Sequence, residues 1–565
     1  MEGDTVVKGS LCNEEVNSNY SGKEMNSRRF ANSVPRKTAE ISGAEHSCTG
    51  KTRAGRFTSL LLGTWFFFQC LICYAVLFAL VIPLFPVIAV FFILKTVEQV
   101  MVKTTNGGIA LNASDALWQQ SSDVNRLAIN ALICVENTHS FDEGMKSFRR
   151  AILERMVDAK KENGELTYPR SRCYIRPGFF QYFFQEDKSF RIENHVFKWE
   201  GEVPTSKDEL AAIVSKLSNE PFPEGRSPWY FCCVPTNYSD KNLAVVFRMS
   251  HSIADGVSLT RFLINQLPDQ ATPQKEPQKF SSNGRLFLLA KAALITPRYF
   301  VRLFLSFADC SILHGPKISG VKKVTWQEAF ELKLIKQIKT ATGTTVNDVL
   351  MSCLTLALRR YFQKKGVVNP YDLTASIPVD VRSSVSAKEM AFENKFSLIF
   401  LKLAVATDGV LNLLYETKAR MDAVKVSGEP LGSGAFMYLN NELCPEFFTR
   451  KTNTFIAEKT TCVLSNVPGP QYLLTVNNCP IKYMAFWPPQ RDNIGLGLSI
   501  YTYAGQVIVG VQGDVALITD PEIIIEEFKN AVNDMAQCVL HRETVGNGHA
   551  LSKRTGLKIL LPLLS

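Results

Sequence analysis

The chain has 565 residues, more than one hydrophobic core usually organises, so two lobes or domains are expected. Its formal charge is +10, and 46% of its residues are hydrophobic. No basic stripe interleaved with aromatic residues accompanies this charge, which argues against nucleic acid as a partner. Anionic lipid headgroups or a phosphate-bearing cosubstrate are expected instead.

The cysteines argue against both a disulfide framework and a metal centre. All 14 are scattered, from Cys12 to Cys538, without framework spacing. Cys70 and Cys73 lie in an uncharged apolar run with no second cysteine pair, and the sequence has no HExxH motif, so no metal site is predicted. This usage is typical of a reducing compartment.

The N-terminal part reads as a tail followed by a membrane anchor. Residues 1–56 are polar and lack aliphatic periodicity, which predicts disorder. Residues 57–94 contain no charged side chain, so we assign 57–100 to a transmembrane or re-entrant segment. Pro83 and Pro86 leave open whether it is one long kinked helix or a span that turns back on itself. We favour a re-entrant or otherwise cytosol-facing arrangement. Sequons at Asn112 and Asn237 would be used only if the chain crossed to the lumen.

Beyond residue 107 the sequence is typical of a mixed α/β fold. "KNLAVVFRMS" (241–250) predicts a strand, and "GVSLTRFLINQL" (256–267) a helix after it. "TTVNDVLMSCLTLALRRYF" (344–362) predicts the strongest helix, and residues 494–514 predict two strands joined at Ala504-Gly505. The expected units are a first lobe (107–267), a linker (268–322), a second lobe (323–545) and a basic, apolar tail (546–565). Part of the linker is either an interfacial membrane helix or a helix packed on the lobes.

One histidine stands out at the end of the first predicted strand. In "SHSIADG" (250–256), His251 leaves the strand in a sharp turn, and Asp255 and Gly256 follow. A tight turn can fix the orientation and tautomer of an imidazole, as a proton-transfer role requires. The structural alternative is a histidine that only packs, with Asp255 as the N-cap of the next helix.

These residues resemble a known family. "SHSIADG" is similar to the HHxxxDG motif of the wax ester synthase/diacylglycerol acyltransferase family, within the coenzyme A-dependent acyltransferases and condensation domains. Further similar stretches follow in family order, over roughly 111–528: "ASDALW" (113–118), "FRIENHVF" (190–197), "SPWY" (227–230), "IPVDVRSS" (377–384) and "LSNVPGP" (464–470). The resemblance implies two similar chloramphenicol-acetyltransferase-like lobes with an interlobe tunnel for acyl-CoA and an alcohol.

The same resemblance implies roles for particular residues. His251 is the expected general base, and Ser250 replaces the family's first histidine, either supporting the loop or changing substrate binding. Asp255 and Gly256 would support the motif loop, with Arg382 as the predicted partner of Asp255. Substrate-binding roles are carried over for Asn347, Asp348, Ser465 and Asn466. A helix start explains the first two equally well, and the 466–469 turn is as readily architectural.

The predicted function is that of a membrane-anchored O-acyltransferase. It would transfer a fatty acyl group from acyl-CoA, its cosubstrate, to a long-chain alcohol or diacylglycerol, giving wax ester or triacylglycerol, with no bound cofactor. Membrane lipids are the other expected partners. The expected location is the endoplasmic reticulum membrane, and contact with lipid droplets is compatible with it. The alternative is a non-catalytic lipid-binding or scaffolding protein that lost the histidine doublet.

Overall fold

The computed structural model describes residues 53–136, 140–236, 242–270, 282–382 and 391–547. The predicted tail before residue 53, the C-terminal tail after residue 547 and the sequon at Asn237 lie outside these residues.

Within the described ranges the chain forms twelve α-helices and fifteen strands, together with four short 3₁₀- or π-helical segments. The helices are α1 Arg53–Asn106, α2 Ala113–Leu117, α3 Phe141–Ile152, α4 Lys207–Asn219, α5 Gly256–Arg261, α6 Ser282–Leu305, α7 Leu332–Thr342, α8 Val346–Lys364, α9 Val410–Ser427, α10 Glu429–Leu443, α11 Glu446–Ala457 and α12 Glu522–Asn547. The strands are β1 Ile109–Ala110, β2 Ala128–Glu136, β3 Cys173–Pro177, β4 Tyr182–Glu186, β5 Val196–Lys198, β6 Trp229–Pro235, β7 Asn242–Ser250, β8 Lys322–Glu331, β9 Leu373–Asp380, β10 Phe396–Leu403, β11 Cys462–Pro468, β12 Thr475–Val476, β13 Cys479–Trp487, β14 Leu496–Tyr503 and β15 Gln506–Asp514.

Two six-stranded mixed sheets form the body of the protein, as expected for two α/β lobes. The first has the order β12-β13-β2-β7-β6-β5 and the second β10-β9-β11-β14-β15-β8. Each sheet has its own buried apolar cluster, and α8 lies in the second cluster. A small three-stranded sheet, β1-β4-β3, accompanies them.

Several local predictions are confirmed. The predicted strand is β7, and the strongest predicted helix is α8, capped at its start by Thr345 and Asp348. The predicted turn between β14 and β15 has positive φ at both Ala504 and Gly505, as a two-residue hairpin turn requires.

One connection was not predicted. The segment β12–β13 comes from the C-terminal half of the chain, yet β13 pairs with β2 in the first sheet. A cut of the sequence at residue 323 therefore does not separate the two sheets.

The segment predicted to lie in a membrane forms a single long helix. Among the described residues, one helix is long and apolar enough to cross a membrane, over Gly63–Asn106. The helix continues through Pro83 and Pro86, so of the two alternatives left open the structure contains the long helix, and its arrangement in a membrane stays a prediction. Each proline removes one backbone donor and can bend a helix, but these two do not end it.

The linker was predicted to contain either an interfacial membrane helix or a helix packed on the lobes, and helix α6 has features of both. It packs on α10, where Gly428 and Gly432 let the two backbones approach closely. Its other side exposes large apolar residues: Leu286, Phe287 and Leu289. It is therefore packed on the second lobe and also presents an apolar surface.

Candidate active site

His251 lies in the turn after β7, a strand held between β2 and β6 in the first sheet. Its backbone N–H donates to the carbonyl of Leu127, just before β2, at 3.1 Å. Leu127 has a φ of 50°, a left-handed conformation that costs a residue with a β-carbon about 1–2 kcal/mol. Strained backbone of this kind concentrates at functional sites, where the surrounding structure holds it.

The side chain of Asn394, just before β10, fixes the tautomer of the His251 ring. The Nδ2 group of Asn394 donates to the carboxylate of Asp115 at 2.9 Å and to the carbonyls of His251 and Ser252 at 2.8 and 3.3 Å. Because these three partners are acceptors, the amide oxygen must face the imidazole, 3.0 Å from Nδ1. Nδ1 therefore carries the proton, and Nε2 keeps its lone pair.

A buried ion pair holds Asn394 in turn. Asp115 lies on α2, and its fully buried carboxylate accepts from both terminal nitrogens of Arg170, at 2.6 and 3.1 Å. Burial raises the pKa of Asp115, and Arg170 and Asn394 oppose that rise. Arg170 also donates to the carbonyl of Ile253 in the motif turn, at 3.0 Å. The chain from Arg170 through Asp115 and Asn394 thus joins three distant segments at the imidazole.

Aromatic side chains cover the ring. Trp118 packs against His251 with 3.9 Å between ring centroids and a tilt of 31° between the rings, and Phe396 meets His251 edge-on at 5.7 Å. His251 keeps 8% of its surface exposed. Burial lowers the pKa of its imidazole to about 4, while Asp255 and Asn394 pull the other way. The ring is therefore neutral at physiological pH, in the form that a general base needs.

The structure contains the predicted pair between Asp255 and Arg382. The two charged groups lie 2.7 Å apart, with side chains 4% and 2% exposed. Asp255 also accepts from the backbone N–H of Lys395 at 2.8 Å, and it caps α5 by accepting from the N–H of Ser258. Asp255 therefore fastens the motif turn to the second half of the chain, in addition to being the N-cap.

Ser250 and Gly256 lie at the two ends of the motif turn. The hydroxyl of Ser250, at the end of β7, accepts from the N–H of Ser252 at 3.4 Å, a contact of the kind that supports a loop. Gly256 begins α5, and a β-carbon there would meet open space, so close packing does not demand the glycine. It lines a cavity instead.

The residues to which the family resemblance assigns substrate binding lie together at a different place. The side-chain amide of Asn466, on β11, donates to Asn347 at the start of α8 at 2.8 Å. Asp348 caps α8 through the N–H of Thr345 at 2.9 Å, and Ser465 is buried beside Asn466. The contacts recorded for the described residues do not join this group to His251. Its substrate-binding role stays a prediction.

Two cavities adjoin the motif region. The first, of about 680 Å³, is lined by Trp118 and by residues of α6, α10, α11 and β10. The second, of about 520 Å³, is lined by Gly256 and its helix together with residues of both large sheets, such as Phe247 and Tyr501. His251 itself lines neither of these two cavities, so the predicted interlobe tunnel stays a prediction.

Family models match both halves of this arrangement. The wax ester synthase/diacylglycerol acyltransferase (WS/DGAT) catalytic domain matches residues 111–308, and the WS/DGAT C-terminal domain matches residues 392–536. The chain belongs to the WS/DGAT family. The first match contains His251, and the second contains Asn394.

Individual proteins agree with this assignment. The wax ester synthase/diacylglycerol acyltransferase 8 of Arabidopsis thaliana is 24% identical, over 58% of this chain and 78% of the relative. The WS/DGAT from Marinobacter aquaeolei VT8 has a similar fold, with a TM-score of 0.53, 17% identity, and coverage of 76% of this chain and 99% of that one. The trichothecene 15-O-acetyltransferase from Fusarium sporotrichioides shares the fold at a TM-score of 0.53 and 10% identity, over 75% and 95% of the two chains.

Three residues around His251 were missed from the sequence. Asp115 and Trp118 lie within "ASDALW", which we used only as a mark of the WS/DGAT resemblance. Asn394 lies in a stretch without any signal of its own, 143 positions after His251. The "ASDALW" segment could have drawn attention to an aspartate and a tryptophan beside the site, whereas Asn394 could not have been found without the fold.

Proposed function

We propose that this WS/DGAT-family chain is a membrane-anchored, acyl-CoA-dependent O-acyltransferase that esterifies a long-chain alcohol or a diacylglycerol. Membership of the family supports acyl transfer, and the Arabidopsis and Marinobacter relatives carry both activities in their names. The observation that carries the proposal is the contact between Asn394 and Nδ1 of His251, because it leaves Nε2 free to accept a proton.

In the proposed reaction, His251 acts first as a base and then as an acid. Nε2 takes the proton of the acceptor hydroxyl while that oxygen attacks the carbonyl carbon of the acyl thioester. The carbon–sulfur bond then breaks, and the imidazolium returns the proton to the thiolate. The products are an ester and free coenzyme A, and no acyl-enzyme forms. General acid–base catalysis of this kind contributes a factor of about 10²–10⁴.

The residues around His251 would keep the ring ready for this cycle. Asn394 holds Nδ1, and Asp115 holds Asn394, so the imidazole need not reorient when it becomes charged. Asp255 and Arg382 position the turn and take no part in proton transfer. Preorganised polar groups of this kind stabilise the developing charge without rearranging during the step.

The long apolar helix α1 would keep the enzyme at a membrane, which is where its acceptor and product partition. We place the activity at the cytosolic face of the endoplasmic reticulum, because acyl-CoA is available there, with lipid droplets as a second destination. The non-catalytic alternative rests on Ser250 in place of the family's first histidine. The contact of Ser250 inside the turn supports a loop role for that position.

The test is ester formation by the purified full-length chain in lipid nanodiscs. Labelled palmitoyl-CoA is offered with hexadecanol, with a diacylglycerol and with no acceptor, and products are separated by chromatography. We expect labelled wax ester, triacylglycerol or both, formed together with free coenzyme A. If no acceptor in such a panel yields an ester, the protein is not an O-acyltransferase and the lipid-binding alternative stands.

A further inference from the structure

The cavity beside Trp118 has walls suited to a hydrocarbon chain. Most of its lining side chains are apolar, as is usual for sites that bind small molecules. Two of the polar side chains that reach it, Ser433 and Arg491, have partners already. Ser433 donates to the carbonyl of Leu398, and Arg491 donates to the carbonyl of Leu117 at 2.9 Å and to Gln120 at 2.7 Å.

Trp118 separates this cavity from the imidazole. The tryptophan ring packs against His251, and the same side chain lines the cavity. Its indole N–H is buried and has no hydrogen-bond partner among the described residues. A buried donor without a partner costs about 1–3 kcal/mol, so an oxygen of a bound ligand would be stabilised there. A chain in this cavity would thus lie against Trp118, with this one side chain between it and His251.

The outer wall of the cavity leads to an exposed apolar surface. Phe300 of α6 and Phe436 of α10 line the cavity and stack on each other at 3.8 Å. Phe304 stacks on Phe455, which is 41% exposed. The outer sides of the same helices expose further large apolar residues: Leu286, Phe287, Leu305, Tyr438, Leu439, Phe447 and Phe448.

The apolar helix α1 lies against these same elements. Gln69 accepts from Arg298 of α6 at 2.9 Å, and Lys95 pairs with Glu442 of α10 at 3.2 Å. Glu98 accepts from the N–H of Phe180 at 3.0 Å. Gln69 and Glu98 are 29 positions apart, or about 44 Å along a helix, whereas a bilayer core is about 30 Å thick. The two contacts of α1 with the rest of the protein are further apart than the bilayer core is thick. If α1 crossed the bilayer away from the rest of the protein, it could not keep both contacts. We therefore infer that α6 and α10 lie in the same lipid environment as α1.

We propose that the cavity beside Trp118 binds the hydrocarbon chain of the acceptor lipid, which reaches it directly from the bilayer between α6, α10 and α11. This inference rests on the proposed function. A membrane lipid is the occupant because the exposed surface continues α1, whereas the anionic coenzyme A portion of acyl-CoA stays in water. The side chain of Trp118 lies between the cavity and His251, so it must move before the acceptor hydroxyl can reach Nε2 of His251.

The first test measures chain-length preference in the full-length protein. Ala457, which is 5% exposed, lines the cavity, and Ala457→Phe fills it. We expect the ratio of kcat/KM for hexadecanol to that for hexanol to fall at least tenfold. The corresponding ratio for palmitoyl-CoA against hexanoyl-CoA should change less than twofold. Met437→Trp, at a partly exposed lining position, repeats the test if Ala457→Phe does not fold. Ala341→Phe, on the exposed side of α7, is the matched control and should change neither ratio.

The second test needs no turnover. A photoreactive diazirine analogue of hexadecanol, incubated with the protein in nanodiscs, should label peptides of α10 and α11, and Ala457→Phe should reduce that labelling several-fold. A wild-type chain that makes no ester would contradict the proposed function, yet this labelling would still test the cavity. The inference is overturned if the label falls on residues 256–263 of the second cavity, or if Ala457→Phe lowers the acyl-CoA ratio or leaves both ratios unchanged.

Discussion

Side chains from separate segments hold the imidazole of His251 in one orientation. Asn394 binds Nδ1, Asp115 and Arg170 hold Asn394, and Trp118 packs on the ring face. The environment is low in dielectric, which strengthens each of these contacts and also disfavours a charged ring. The site thus favours a neutral imidazole with one defined tautomer at rest.

The lowered pKa of His251 predicts an unusual pH dependence. Because burial lowers this pKa from 6.5 to about 4, protonation should remove the base only as the pH approaches 4. The acid limb of kcat/KM should therefore lie well below pH 6.5. The unfolded chain binds a proton at His251 below pH 6.5, whereas the folded chain binds it only near pH 4. The contribution of His251 to the free energy of unfolding is therefore complete above pH 6.5 and is lost as the pH falls toward 4. If half of the activity were already lost at pH 6.5, the assignment of His251 as the base with a lowered pKa would be contradicted.

The pair of Asp255 and Arg382 predicts a structural penalty. Arg382→Ala leaves a buried carboxylate without its cation, which costs about 3–5 kcal/mol of stability. Thermal denaturation should show a large fall in Tm. Lys395→Ala is a control, because the Lys395 side chain is 55% exposed and only its backbone N–H binds Asp255. Equal Tm values for the two variants would show that the pair does not fasten the turn.

Local signals made part of this site predictable. His251 and Asp255 share one short motif, and Arg382 follows a recognisable strand, so all three could be named from the sequence. Asn394 could not, because it reaches His251 only once two sheets have come together. Asp115 was quoted within a motif, but its contact with Asn394 depends on the same folding. Trp118 was quoted within a motif, but its contact with the ring depends on tertiary packing.

The crossing of α6 and α10 is the element on which the outer wall of the first cavity depends. Gly428 has a φ of 78°, and a β-carbon there would lie 3.2 Å from the backbone of Ala292. One turn further on, a β-carbon at Gly432 would meet Thr296. Small residues at this spacing let two helices approach closely.

Gly432→Ala should therefore disturb this crossing. Its β-carbon would lie 2.0 Å from the hydroxyl oxygen of Thr296, and overpacking of this kind costs about 1–3 kcal/mol. We expect a lower Tm and weaker use of hexadecanol. Gly434→Ala, whose β-carbon would meet Ser397 at an ordinary 3.4 Å, should be neutral or stabilising, because alanine favours a helix over glycine by about 1 kcal/mol. The packing account is wrong if the two variants cannot be told apart.

At the scale of elements, periodicity predicted what is local. Strand β7, helix α8 and the β14–β15 hairpin were all expected from their patterns. The entry of β13 into the first sheet was not, because strand pairing depends on partners far along the chain and not on alternation within the strand.

At the scale of the whole molecule, the contacts of α1 favour a body that stays on one side of the membrane. If that side is the cytosol, as the proposed function requires, no glycan is added to Asn112. Its side chain is also engaged, since its oxygen accepts from the N–H of Asp115 at 2.8 Å. We expect endoglycosidase treatment to leave the electrophoretic mobility of the expressed protein unchanged. A mobility shift that disappears in the Asn112→Gln variant would place this face in the lumen.

The role of His251 is tested most directly by single-turnover ester formation with His251→Ala, using saturating palmitoyl-CoA and the acceptor that the wild type prefers. The variant removes Nε2, while Asn394 keeps its three other contacts, so the fold and substrate binding should persist. We predict a rate lower by about 10²–10⁴, with a wild-type dissociation constant for palmitoyl-CoA. A rate within a few-fold of wild type would contradict the claim that this imidazole moves the proton.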